Sequence, residues 1–166
     1  VLARVTDARH REVITRDIRQ DTMRWIVTRC RARLLGASRG YIQAPQSGQT
    51  KRIVQELAQP STIVVMHVDE ARHPQVVFPS FGRRLPAKGH NASHAVRLAK
   101  QARACLVPLV LHRDATCATR FNVQVLSVWD MASDPRDNQT TVSDMSKQFE
   151  AAILEDPSNW LNLYHR

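Results

Sequence analysis

Arg83 and Arg84 sit in the segment Phe78-Pro-Ser-Phe-Gly-Arg-Arg-Leu-Pro-Ala-Lys-Gly89, between two glycines. Paired planar guanidiniums in such a loop can grip a phosphate through parallel hydrogen bonds, and the same residues also suit a plain solvated loop. A charged cluster that includes Asp69, Glu70 and Arg72 follows directly on an apolar run. Asp69 there suits a functional acid or an acid that caps the loop and pairs with Arg72. His90 and His94 are four apart, the spacing at which two imidazoles meet on a helix face, but no Glu follows His90 and no third ligand is evident, so no metal is expected. His112-Arg-Asp114 spells a kinase catalytic triplet without the downstream Asn, glycine-rich loop or Asp-Phe-Gly that kinase chemistry needs. Ser47-Gly48 lacks the Gly-x-Ser-x-Gly elbow of a serine hydrolase. Cys30, Cys105 and Cys117 are odd in number and show no Cys-x-x-Cys spacing, which argues against a zinc site or a disulfide framework and for a reducing compartment. No cofactor is implied.

The elements that must position these residues follow from periodicity. Apolar residues at 14, 18, 26, 30 and 34 recur mostly at multiples of four, predicting one long amphipathic helix over residues 7–35 with an arginine-rich back. Residues 40–48 read as a turn or loop, and residues 50–58 as a short helix ended by Pro60. The β-branched run 61–68 predicts a central strand buried on both faces. Residues 76–78 read as a short strand, and 90–104 as a helix whose Ala92, Ala95, Ala99 and Ala102 permit close approach to a sheet. Residues 105–111 read as a second buried strand, with Cys105 a small core residue, and the alternation over 120–128 as a strand nearer an edge. A capping-box-like Thr141-Val-Ser-Asp144 opens the last helix, with Met145, Phe149, Ala152 and Ile153 as its buried stripe. Strands separated by helices imply an α/β fold, a mixed sheet flanked by helices.

Composition narrows the function. With 166 residues, one sizeable core and a single α/β domain, or a large part of one, is the expectation. No segment approaches the ~18 uninterrupted apolar residues of a membrane span. Lys and Arg total 24 against 15 acids, a net charge of +9, and ten arginines fall within the first forty residues, so an anionic partner is expected. Nucleic acid is disfavoured as that partner. Four acids are interspersed among those arginines, aromatic residues are only 5%, and none is interleaved in a single-strand-binding pattern.

From residue 50 to residue 166 the sequence resembles the C-terminal half of the bacterial lipid A late acyltransferases, which implies a glycerolipid-acyltransferase-like fold, expected here to be partial; residues 1–48 match only loosely. Strand 63–68 ends in Asp69 and Glu70; Ser80-Phe-Gly82 takes the place of that family's aromatic-Phe-Gly loop; Pro86 and Lys88-Gly89 precede the helix. Val107-Pro108 matches the valine-proline step of its next strand, and Phe149, Pro157, Trp160 and Tyr164-His-Arg166 match its closing helix, proline and aromatic-basic ending. Two departures stand out. Ser80 replaces an aromatic residue, and Glu70-Ala-Arg72 lacks a second acid in its usual place.

The resemblance implies transfer of a fatty acyl chain from an acyl carrier protein thioester to a hydroxyl of a phosphorylated lipid A precursor, at the cytoplasmic face of the inner membrane. It also implies a His-x4-Asp/Glu catalytic motif, and none of the seven histidines here has an acid five residues on. The expectation is a truncated or degenerate acyltransferase, inactive alone, in which Asp69 is a supporting acid and Arg72, Arg83 and Arg84 bind substrate. Trp160, Tyr164, His165 and Arg166 suit a position at the membrane interface, though Trp160 alone better suits capping the core. The alternative is a non-catalytic basic module that binds anionic lipid or a protein partner through the arginine-rich helix.

Overall fold

The computed structural model describes residues 10–16, 29, 41–44, 49–59, 62–69, 78–87, 89–117 and 119–159. The chain divides into two compact units, Val1–His67 and Val68–Arg166. Together their helices and small sheets form a mixed α/β fold.

In the first unit, β1 (His10–Arg16), β2 (Tyr41–Ala44) and β3 (Thr62–Val65) form a parallel sheet in the order β2-β1-β3. Val13 lies opposite Tyr41 on one side and Val65 on the other. Parallel neighbours cannot be joined by a tight turn, so β2 and β3, separated by β1, need a crossover. Helix α1 (Gln49–Leu57) supplies it, packing against β3 and burying Ile53.

Three expectations change here. Residues 10–16 form a strand, not the first turns of a long helix. Residues 13–16 pair with β2 and residues 10–13 with β3, and ladder hydrogen bonds from these distant strands override the helical spacing. Of residues 17–40, only Arg29 is described, so most of the arginine-rich segment lies outside the described residues. Tyr41–Ala44 is a strand within the segment read as a loop. Among the described residues β3 pairs with β1 alone and so lies at the edge of this sheet rather than at its centre, and its four residues are half-buried.

The second unit is built on two helices, α2 (Asn91–Ala102) and α3 (Asn138–Glu155). Phe78, Leu85, Ala92, Val96, Ala99, Met131, Val142 and Met145 form its core, with Val68, Leu106, Trp129 and Phe149 packed against them. The alanines of α2 therefore bring it close to α3 rather than only to a sheet. At its end Arg103 adopts a left-handed conformation, φ +53°, while Arg103 N–H donates to Lys100 O and Ala104 N–H to Ala99 O. That is the two-bond Schellman closure, which turns the chain sharply into β4.

Residues 105–111 are not one buried strand. β4 (Cys105–Leu106) pairs antiparallel with β7 (Trp129–Asp130), and β5 (Leu109–Arg113) pairs antiparallel with β6 (Phe121–Val125). The break falls at Val107-Pro108, because proline has no N–H to give to a ladder. Cys105 is exposed rather than a core residue, and Leu111 is exposed as well. β6 covers residues 121–125 of the alternating segment 120–128, with Val123 half-buried and Phe121 and Val125 exposed.

The N-cap of α3 lies four residues before Thr141, the cap that the box suggests. Asp137 is the N-cap, accepting from Thr140 N–H at 2.7 Å, and that bond holds its carboxyl below the usual range. Met145, Ala152 and Ile153 are buried and Phe149 packs edge-on against Phe78 at 5.6 Å, so the expected stripe is present. Ahead of the helix Arg136 pairs with Asp134 and Asp144 and stacks over Trp129 at 4.6 Å. Its guanidinium lowers the Asp134 pKa to about 2.

Candidate functional site

Both ends of the loop over residues 78–89 are rooted in the second unit's core. Phe78 and Leu85 are buried in it, and Val68, immediately before Asp69, packs against the same cluster. One hydrophobic core thus anchors the exit carrying Asp69 and the loop carrying Arg83 and Arg84.

Between these anchors the chain makes a tight turn. Arg83 N–H donates to Ser80 O at 3.1 Å, and the two central residues, Phe81 and Gly82, both have positive φ, +47° and +79°. Two successive positive φ values are the pattern of a type I′ turn. Gly82 adopts it without steric cost; Phe81, with a Cβ, does not. Something must hold Phe81 there.

The holding group comes from α3. Glu150 Oε1 accepts from Phe81 N–H at 2.7 Å, from Ser80 Oγ at 2.9 Å and from Ser146 Oγ at 2.8 Å. Ser146 Oγ in turn accepts from Ser80 N–H at 2.8 Å. At the far end of the loop Gln139 Nε2 donates to Leu85 O at 3.3 Å. Gln139, Ser146 and Glu150 are spaced seven and four apart, about two turns and one turn, so they form one stripe on α3. That stripe holds both sides of the turn.

His90 closes the loop. It caps α2, its Nδ1 accepting from Ser93 N–H at 3.3 Å and its Nε2–H donating to Pro86 O at 2.9 Å, while its ring stacks near Phe78 at 6.2 Å. Both ring nitrogens are thereby occupied by backbone, and a metal would have to displace one of them. Burial pushes its pKa below 6.5, more than the bond to Pro86 raises it. The unfolded chain then binds a proton more readily than the folded one, so stability is full above about pH 6.5 and declines as pH falls below it. Urea midpoints are expected to drop between pH 7.5 and pH 5.5 in the native chain, and that part of the drop should vanish in His90→Asn, which keeps a capping oxygen but does not titrate. An unchanged slope in the variant would place the titrating group elsewhere.

Arg83 and Arg84 are both exposed, and neither is in an ion pair with a described acid. Asp69 is exposed. Arg72, Glu70, Lys88, Trp160, Tyr164, His165 and Arg166 lie outside the described residues. Asp114 of His112-Arg-Asp114 belongs to a turn: its carboxylate accepts from Thr116 N–H and Oγ1, which keeps its pKa low. The sequence reading missed Glu150, Ser146 and Gln139. Their helical spacing is visible in the sequence, but nothing there says that this stripe faces the loop. Ser80, a departure from the family's aromatic residue, is explained by the same network, since its hydroxyl and amide are both engaged by α3.

No helix among the described residues is long and apolar enough to cross a membrane. No curated protein matches the chain. The family model of bacterial lipid A biosynthesis acyltransferases matches residues 5–166, nearly the whole chain and well beyond the part from residue 50 onward on which the sequence resemblance rests, and the chain therefore belongs to that family.

Proposed function

We propose that this chain supplies the acceptor-binding part of an acyltransferase that works on a phosphorylated lipid A precursor. A base takes the proton of an acceptor hydroxyl, the alkoxide oxygen attacks the thioester carbonyl of an acyl carrier protein, and the carrier thiolate leaves and takes up a proton. Arg83 and Arg84 bind the phosphate that marks the acceptor, and Arg72 is a further substrate-binding residue. Asp69 serves as a supporting acid. The reaction takes place at the cytoplasmic face of the inner membrane, where the piece is peripheral.

The observation that carries this reading is the turn itself, in a chain of this family. A segment pinned at both ends by α3 presents two exposed guanidiniums at adjacent positions. Rigid presentation lowers the ordering cost of gripping a phosphate.

The test is binding of the chain to micelles carrying a phosphorylated lipid A precursor, compared with its dephosphorylated form. Each arginine near an anionic surface contributes about 1 kcal/mol, so the double variant Arg83→Ala/Arg84→Ala is expected to bind about 30-fold more weakly. The preference should also shrink as salt rises. Equal binding by native chain and double variant would remove the acceptor site from this loop.

A further inference from the structure

We infer that Glu150 is a positioning residue for phosphate recognition: without touching the ligand, it sets the turn that aims Arg83 and Arg84 together. The inference rests on the reading that these two arginines bind the acceptor's phosphate. A carboxylate on a helix surface usually points to water, whereas this one accepts from Phe81 N–H, Ser80 Oγ and Ser146 Oγ at once. Two of its three bonds reach the residue pair before Gly82, where the backbone is least able to hold itself, because Phe81 sits at φ +47°, and the third, from Ser146 on the same helix, fixes the carboxylate. Arg83 begins immediately after, its own N–H closing the turn onto Ser80 O. Release of Phe81 would let the turn relax to negative φ and rotate the two following peptide planes. The arginines would keep their charge but lose their shared direction.

The sign of the electrostatics separates this role from a general effect of charge. Glu150 is an acid close to a phosphate-binding loop, so removing its charge would by itself tighten binding to an anion. A positioning role predicts otherwise. Glu150→Asp keeps the charge but shortens the reach by one methylene, and Glu150→Gln loses the charge but keeps an oxygen at the same place.

The experiment measures binding of the full chain to phosphatidylcholine vesicles with and without phosphatidic acid, a phosphomonoester lipid, with inorganic phosphate as a separate competitor. Glu150→Asp is expected to bind phosphatidic acid vesicles about fivefold more weakly, the equivalent of one surface cation displaced. Glu150→Gln should stay within about twofold of native, since the acceptor for Phe81 N–H is retained. In the Arg83→Ala/Arg84→Ala background, Glu150→Asp should change nothing. Circular dichroism checks that each variant is folded, and Glu150→Gln decides the question if Glu150→Asp is not: binding tightened well beyond twofold would reveal a charge effect and overturn the inference. It is overturned equally if Glu150→Asp binds like the native chain, or weakens binding as much without the arginines as with them. If the arginine variant alone binds like the native chain, the acceptor-site reading falls and the positioning role falls with it, an outcome read entirely in the Glu150 background. Competition by inorganic phosphate at concentrations that leave vesicle binding to phosphatidylcholine unchanged would assign the recognition to the phosphate group; its absence would assign it to the lipid surface as a whole.

Discussion

Phe78→Ala is expected to destabilise the second unit by about 3–5 kcal/mol, the usual cost of emptying a buried aromatic position. Phe78 is only 3% exposed, packs edge-on against Phe149 and lies parallel to the ring of His90. The side chains of its cluster come from separate segments, among them the loop, α2 and α3, so none can move in to fill the space without giving up other contacts. For a unit of this size the midpoint of thermal unfolding should fall by on the order of 10 °C or more. Leu154→Ala, at a position 67% exposed, is the comparison and should stay within about 0.5 kcal/mol of native. A loss below about 1 kcal/mol for Phe78→Ala would mean that the loop is not rooted in the core, and the account of how Arg83 and Arg84 are held would fail with it.

The second large effect is catalytic. Incubated with an acyl carrier protein thioester and a phosphorylated glycolipid acceptor, the chain alone is expected to transfer no acyl group above the rate without protein. General-base help is worth roughly 10² to 10⁴, and holding the reactants in place adds more. None of the seven histidines is followed by an acid five residues on. Three of the described ones are engaged with other groups: His90 has both nitrogens committed to backbone, His94 contacts Arg97 at 3.0 Å and His112 contacts Gln124 at 2.7 Å. Transfer clearly above the background, followed by mass spectrometry of the glycolipid, would show that a base is present within these residues. His90→Asn and His112→Asn would then locate it.

Elements set by short-range pattern were legible from the amino acids. α1 falls within one residue of expectation at each end, α2 begins one residue after the expected start with His90 as its cap, and the apolar stripe of α3 is the one that its spacing predicts. Punctuation by proline was read less well. Val107-Pro108 looked like part of one strand, yet a residue without an N–H divides the segment between two pairs of strands. The first forty residues show the opposite failure. Ile14 satisfies a helical spacing with Ile18, and only the pairing of residues 13–16 with β2 and of residues 10–13 with β3 makes the segment β-sheet.

By itself the sequence determined the family, through the order of many weak features over more than a hundred residues, together with the loop that carries Arg83 and Arg84 and the excess of positive charge. The tertiary structure decided which residues hold that loop. Ser80 and Glu150 are seventy residues apart, and their hydrogen bond exists because helix α3 packs beside the base of the loop. Local periodicity says which residues share a helix face. It does not say what that face will meet, because the partner is selected by burial of apolar side chains far away in the chain, and the polar bonds between loop and helix form only where that packing brings them together.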